Sequence, residues 1–367
     1  MQREIGSNFW LDPNMNYDDG KTFTPDLFGI SYCDYRLLSS GRGAQKLIID
    51  TIKDSSVLKT NVVLIPPFTC YTVVLPFVNA GFHVETYDVD AQLNTTPDML
   101  EAAIKKYEPA IVLIHGYYGR NTLRNCEEII QKFSGEIWFI EDRTQTLYSN
   151  YKELPVHFVL ASLRKWAGLM EGGIAISKSI PFRINPANED GKVVETKKEA
   201  SYLKYYYMTE GQGEKSKFRE KYIQAENTLH EECELYKMST LSQSIQAHLN
   251  LMELKSNRRK NYNYLNDALA EFKSVKTFFG EMKDGEVPLY IPLLCNKREE
   301  LQNALREKDI YAPFIWPKDY EDLQVCSVAD YIYDRVICIP IDQRYDIDDM
   351  RRVVAVIRQW ENQRLQG

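Results

Sequence analysis

The sequence predicts an α/β protein: a large domain built on a mostly parallel sheet with helices on both faces, followed by a smaller α+β domain. Three observations carry this expectation. Short segments, most of them continuously apolar, recur at residues 62–65, 82–87, 110–114, 137–140, 158–161 and 174–176. Segments with helical spacing or helix caps separate most of them, and strands buried on both faces read as unbroken apolar runs. From Glu214 to Phe279 the chain then has neither glycine nor proline, and beyond it strand and helix patterns mix at close intervals.

Taken in order, residues 1–38 are irregular and rich in Asp, Asn, Tyr and Phe, as expected of a wrapping arm. Ser39-Ser40-Gly41-Arg42-Gly43 opens a helix whose apolar positions, Ala44, Leu47, Ile48 and Ile52, keep helical spacing. Strand 62–65 leads to a helix over 70–78 and a strand over 82–87. Thr96-Pro97 reads as an N-cap with proline at the first helical position, starting a helix that runs to about Tyr107. Strand 110–114, a helix over 122–133 and strand 137–140 follow, and strands 158–161 and 174–176 complete the set. Residues 182–217 are polar and lysine-rich and are predicted to be a mobile loop. Leu241, Ile245, Leu249 and Met252 keep a helical stripe, predicting at least one long helix that carries the chain into the small domain. The remainder holds strands at 289–293 and 335–339 and helices at 298–308 and 348–360. These boundaries divide the chain into a large domain over 1–240 and a small domain over 241–367.

Composition excludes several classes of function. The net charge of -7 gives no basic footprint for nucleic acid, and no apolar run approaches the ~20 residues that cross a bilayer. Met1 to Asn8 lacks the apolar core of a signal peptide. The seven cysteines (33, 70, 126, 233, 295, 326, 338) include no Cys-x-x-Cys pair, a pattern of reduced thiols in a cytoplasmic protein. The five histidines are dispersed, so no metal site is expected.

In a parallel α/β sheet, ligands bind beyond the carboxyl ends of the strands. At that edge fall His115 after 110–114, Glu141-Asp142 with Gln145 after 137–140, and Ser162 and Lys165 after 158–161. Lys165 stands between two apolar strands, where desolvation would favour its neutral, nucleophilic amine. The Gly41-Arg42-Gly43 turn opens a helix whose free amides suit a phosphate. Each residue alone has an ordinary reading: a lysine between two strands sits on a surface loop, glycines serve tight turns, an aspartate after a strand caps the next segment, and a histidine fills a core. Together, an anion site, a carboxylate and a lysine suit pyridoxal 5'-phosphate, with the lysine as Schiff base, the aspartate on the pyridine nitrogen and the helix end on the phosphate.

At these residues the chain resembles the DegT-like sugar aminotransferases, within the aspartate-aminotransferase fold (fold type I). The matching stretches are Ser39 to Ala44, Ile65-Pro66-Pro67-Phe68-Thr69-Cys70, Tyr87-Asp88-Val89-Asp90, Ile114-His115 through Gly119, Ile140 to Gln145, and Ser162 through Lys165 to Glu171-Gly172-Gly173. The resemblance implies a seven-stranded sheet, Lys165 as the Schiff-base lysine that also shuttles the proton, and Asp142 on the pyridine nitrogen. Gln145 would lie near the phenolic oxygen, and Ser162 with the backbone of Gly41, Arg42 and Gly43 would hold the phosphate. It further implies transfer of an amino group from glutamate to a nucleotide-linked keto-sugar, in polysaccharide or related sugar biosynthesis, by a homodimer with shared active sites.

Three departures accompany the match. Cys70 stands where the family places the aromatic residue that stacks on the ring, leaving Phe68, Tyr71 or a sulfur contact for that task. Leu235-Tyr236-Lys237-Met238 stands where the family has Asn-Tyr-Arg-Met. Ser162 sits close to the lysine, with Arg164 directly before it. Alternative readings are a cofactor-dependent sugar dehydratase, an aminotransferase for another small carbonyl compound, or a catalytically degenerate cofactor-binding protein. Arg120, Arg143, Arg164, Arg219 and Arg258 are candidates for a substrate phosphate, and Tyr205-Tyr206-Tyr207 for stacking on a base or for packing.

Overall fold

The computed structural model of the chain describes residues 3–123, 125–231, 234–318 and 323–365. Cys233 lies outside the described residues, as do Met1 and Gln2 of the N-terminal segment and Arg124 of the predicted 122–133 helix. In chain order come β1 (Ile5–Gly6), β2 (Asp34–Leu38), α1 (Gly41–Ser55), β3 (Val62–Ile65), α2 (Tyr71–Asn79), β4 (His83–Thr86), α3 (Pro97–Tyr107) and β5 (Ile111–His115). They continue with α4 (Glu127–Phe133), β6 (Trp138–Asp142), β7 (Phe158–Ser162), a 3-10 turn (Leu163–Lys165) and β8 (Gly173–Ser177). After these stand α5 (Gly191–Glu210), α6 (Lys215–Glu231), α7 (Thr240–Ala247), α8 (Leu251–Leu269), β9 (Lys276–Thr277) and β10 (Tyr290–Leu294). The last elements are α9 (Arg298–Arg306), β11 (Ile310–Tyr311), α10 (Ser327–Tyr333), β12 (Val336–Pro340) and α11 (Ile347–Leu365).

The main sheet has seven strands in the order β2-β8-β7-β6-β5-β3-β4. Strands β4, β3, β5 and β6 run parallel, and β2 and β7 both run antiparallel to β8. This is the mostly parallel, helix-flanked sheet that the resemblance implies.

Four sequence expectations are corrected. The arm over 1–38 ends in β2, which pairs with β8 from Asp34↔Ser177 to Leu38↔Gly173. The 122–133 helix starts only at Glu127, because Asn125 takes a left-handed backbone (φ 69°) that a right-handed helix cannot pass through. The stripe through Leu241 and Met252 belongs to two helices. Ser239 caps α7 and Asn250 restarts the chain as α8 by accepting from the Glu253 amide at 3.2 Å, which leaves Met252 85% exposed. Finally, the predicted loop over 182–217 contains the 20-residue α5. Its buried stripe is Val193, Val194, Lys197, Ala200, Ser201 and Lys204. Helical spacing is present there, but polar side chains occupy half the stripe and hide it from a hydrophobicity pattern.

The chain forms two compact units. One comprises Met1–Arg3, Asn8–Val57 and His157–Leu249; the other comprises Glu4–Ser7, Leu58–Val156 and Asn250–Gly367. In the first, α1 packs on β7 and β8 through Ala44, Leu47, Ile48 and Ile52, all fully buried. Ala200, Phe218 and Tyr222 close the α5–α6 hairpin, and the N-terminal arm is tied to it. The Leu11 amide donates to Ser201 Oγ at 2.7 Å and Tyr222 Oη donates to the Phe9 carbonyl at 2.7 Å. In the second, β12-β10-β9 form an antiparallel sheet. Its core, including Leu265, Ile291, Leu301, Ile337, Val353 and Ile357, joins β10 and β12 to α8, α9 and α11.

Among the described residues, no helix is long and apolar enough to cross a membrane, and no group of three or more His, Cys, Asp or Glu is placed to hold a metal ion. Cys33, Cys70, Cys126, Cys295, Cys326 and Cys338 are free thiols.

Candidate active site

Each unit holds one group of the residues singled out in the sequence. In the first unit, Ser40 caps α1: its Oγ accepts from the Gly43 amide at 3.0 Å and its carbonyl from the Ala44 amide at 3.0 Å. The amides of Gly41 and Arg42 precede the first intrahelical donor, the Ala44 amide, and mark the positive end of a 15-residue helix. Ser162, the last residue of β7, lies directly against this end. A Cβ added to Gly41 would stand 3.0 Å from the Ser162 Cβ, so glycine at 41 is what lets the helix end and the serine meet. Lys165 follows on the 3-10 turn. The structure does not bury it: Leu163 and Trp166 on either side are fully buried, while Lys165 is exposed where the turn leaves the strand. The desolvated lysine expected from its position between apolar strands is therefore corrected.

The Glu171-Gly172-Gly173 interval has a structural cause. Gly173 begins β8 so close to the Gly41-Arg42-Gly43 turn that a Cβ would lie 2.2 Å from the Ser40 carbonyl oxygen and 2.6 Å from the Gly41 amide nitrogen. The Gly172 amide donates to the Ser39 carbonyl at 2.7 Å. Glu171 is buried and accepts from the Ser239 amide (2.6 Å), Ser239 Oγ (3.2 Å) and Ser242 Oγ (2.8 Å), which fixes the loop to the start of α7. Burial raises its carboxyl above the ordinary glutamate value, opposed by these donors. Leu235-Tyr236-Lys237-Met238 runs along the same turn: the Tyr236 carbonyl accepts from the Ser39 amide at 2.9 Å, and Leu235 approaches Gly43.

In the second unit, Asp142 ends β6, in register with His115 on β5. It is buried, and its Oδ1 accepts from the Thr144 amide at 2.7 Å. Gln145 is buried, with Oε1 accepting from the Tyr118 amide at 2.6 Å, so its amide NH2 is the donor end. Cys70 is half-buried just before α2, with Sγ 3.1 Å from Thr72 Oγ1. Tyr71 is exposed on the first turn of α2. Phe68 is fully buried with its ring 4.6 Å from Tyr333 and 5.4 Å from Trp316, a core position that offers no ring face outward. Tyr333 locks the loop before Cys70, its hydroxyl accepting from the Thr69 amide and donating to the Thr69 carbonyl, both at 2.8 Å. His115 is buried with Nε2 3.2 Å from Thr69 Oγ1, and burial pulls it down to about 4, so it is neutral at neutral pH.

The arginine candidates divide by surroundings. Arg143 is buried over the Tyr151 ring and donates to the Ser149 carbonyl at 2.9 Å. Arg258 is buried on the carbonyl of Leu289 and on Gln343 Oε1, both at 3.0 Å. Arg120 lies over the Phe279 ring and donates to the Gly280 carbonyl. Arg219 is exposed, and Arg164 is ion-paired with Glu226 of α6. Tyr205, Tyr206 and Tyr207 lie on α5, and Tyr207 packs against Phe218 of α6.

The sequence reading missed Glu226, Lys197 and Tyr333. For Lys197, Asp190 before α5 and Gly211 at its left-handed end (φ 67°) were the available helix signals.

A sequence profile of the DegT/DnrJ/EryC1/StrS aminotransferase family matches residues 38–358. No curated protein matches the sequence. Three solved structures share the fold. Helicobacter pylori PseC, an aminotransferase involved in the biosynthesis of pseudoaminic acid, has 12% identity, covers 98% of this chain and 100% of its own, and gives a TM-score of 0.70. A DegT DnrJ EryC1 StrS aminotransferase from Brucella abortus has 16% identity, with 96% and 91% covered and a TM-score of 0.65. A GDP-4-keto-6-deoxymannose-3-dehydratase with bound GDP-perosamine has 18% identity, with 90% and 89% covered and a TM-score of 0.62. Identities this low establish a shared fold.

Proposed function

Because the chain belongs to the DegT/DnrJ/EryC1/StrS aminotransferase family, whose members depend on pyridoxal 5'-phosphate, we propose that it moves an amino group from glutamate to the keto group of a nucleotide-linked sugar, in the cytoplasm, for polysaccharide or related sugar biosynthesis. The observation that carries this reading is the cradle of the first unit: the α1 end, Ser162 filling the space a Cβ on Gly41 would need, and Lys165 three residues beyond Ser162. Amides, a hydroxyl and an amine in that order fit a phosphate joined to an aldehyde.

The bound cofactor supplies an electrophilic carbonyl and an electron sink. In this reading the backbone of Gly41, Arg42 and Gly43 with Ser162 holds the phosphate. The Lys165 amine, exposed on its turn, takes up and returns the proton at the reacting carbon of the substrate. Asp142 would keep a proton on the pyridine nitrogen, Gln145 would offer its amide NH2 to the phenolic oxygen, and Cys70 and Tyr71 would serve the ring. The functional domains are 1–240 for the cofactor and 241–367 as the small domain, in a homodimer.

An absorption spectrum before and after glutamate tests this. A cofactor band that Lys165→Ala removes, shifting on glutamate to the pyridoxamine form and returning with a nucleotide-linked keto-sugar, is the expected result. A band that no amino donor shifts rejects transamination and turns the reading toward a dehydratase, and the absence of any band rejects the cofactor.

A further inference from the structure

We propose that α6 positions the lysine segment and sets its charge through one residue, Glu226, which holds Arg164, the neighbour of Lys165, against the buried Lys197 of α5. This rests on Lys165 being the cofactor lysine.

Four contacts from the C-terminal end of α6 carry the inference. Glu226 Oε1 pairs with Arg164 Nη1 and lies 2.6 Å from Lys197 Nζ. Three and four residues on, the carbonyls of Leu229 and His230 accept from Arg42, at 2.8 Å and 3.4 Å. Residues 226 to 230 span little more than one turn, so the end of α6 takes both the arginine before the lysine, through a side chain, and Arg42, through backbone carbonyls. The last carbonyls of a helix lack intrahelical acceptor duty and form its negative end, which suits Arg42. Both guanidinium groups are thereby drawn to α6, and the phosphate is left to backbone amides and Ser162.

The groups in this cluster are Arg42 from α1, Arg164 and Lys165 from the 3-10 turn, Lys197 from α5, Glu226 and His230 from α6, and Glu171 from the loop before β8. Burial opposes the charge on Glu226, yet Arg164 and Lys197 hold its carboxyl well below the usual carboxylate range. Burial and Arg164 pull Lys197 down to about 8 despite Glu226. His230 is lowered by burial, then by Arg42, with Arg164 and Lys165 adding to it. Glu226 is thus a carboxylate among cations. Its loss makes the field at Lys165 more positive and favours the neutral form of the Lys165 nitrogen; loss of Lys197 does the opposite.

The experiment is a pH titration of the absorption spectrum of the cofactor-loaded protein, for wild type, Glu226→Gln and Lys197→Met, with circular dichroism confirming the fold. The midpoint is expected to fall in Glu226→Gln by about half a unit to one unit and to rise in Lys197→Met by about half a unit, the scale of a nearby charge removed. A merely structural role moves both variants the same way or neither. Midpoints that stay at the wild-type value, or that move in one direction together, overturn the proposal while the cofactor reading stands. If Glu226→Gln does not fold, the direction of Lys197→Met alone decides. A wild type with no cofactor band overturns both.

Discussion

The segment that carries Lys165 and the segment that carries Asp142 are held in opposite ways. Around Asp142 the supports are local. Thr144 is two residues on, the Ser149 carbonyl takes Arg143, and Tyr151 donates to Glu141 at 2.8 Å, all within ten positions. Around Lys165 they come from far along the chain: Glu226 is 62 positions from Arg164, and Ser239 and Ser242 are 68 and 71 from Glu171. A buried charge costs several kcal/mol unless paired and hydrogen-bonded. The lysine segment therefore depends on three later helices being in place, whereas the Asp142 carboxylate is met by its own turn and the segment otherwise reaches back only to earlier residues, Gln145 to the Tyr118 amide and β6 to β5.

The sharpest way to break that contrast is Gly173→Val. The added Cβ meets the Ser40 carbonyl and the Gly41 amide, both backbone, so nothing flexible can yield. We expect a loss of about 4 kcal/mol or more, the range of severe steric disruption, read as failure of the thermal unfolding transition to reach its wild-type midpoint. Next comes Glu171→Ala, which leaves the Ser239 amide and two hydroxyls without their acceptor. About 2–4 kcal/mol follows from orphaned buried donors. Glu171→Gln, which retains one acceptor, should restore roughly half in a urea titration. If both variants melt like wild type, the lysine segment is not held from α7.

The same contrast explains what the sequence discloses. The strands of the main sheet, the caps at Ser40 and Thr96 and the order Asp142-Gln145-Ser162-Lys165 are legible because each depends on residues a few positions apart. Helix α5 is not, since its buried stripe contains Lys197 and Lys204, whose partners are Glu226 and the Asn8 carbonyl. Polar residues in a buried stripe become intelligible only once their partners are located. Phe68 shows the converse: its neighbours in sequence place it by the cofactor ring, and its packing with Tyr117, Trp316 and Tyr333 makes it core.

In the aspartate half, His115 gives a pH-dependent test of intermediate size. Its folded value of about 4 lies below the unfolded 6.5, so the unfolded chain binds more protons between the two. Stability from this group is full above pH 6.5 and falls as pH drops toward 4, by about 2 kcal/mol at pH 5 by linkage. His115→Asn should flatten the pH dependence of the melting temperature in that window. An unchanged slope would place the acid sensitivity elsewhere.

The smallest effect compares two caps of one kind. Ser40 accepts from the Gly43 amide at 3.0 Å at the start of α1, and Thr96 accepts from the Met99 amide at 3.3 Å at the start of α3. Replacement by alanine removes one N-cap acceptor in each case, at about 1 kcal/mol, so the two variants should lower the melting temperature alike. They should differ in cofactor binding. Only the α1 end faces Ser162, and loosening its first turn by roughly 1 kcal/mol should weaken the affinity for pyridoxal 5'-phosphate about fivefold. Thr96→Ala should leave that affinity at the wild-type value. Equal affinities in both variants, measured by fluorescence titration of the apoprotein, would mean that the α1 end is a structural cap and that the phosphate is held by other groups.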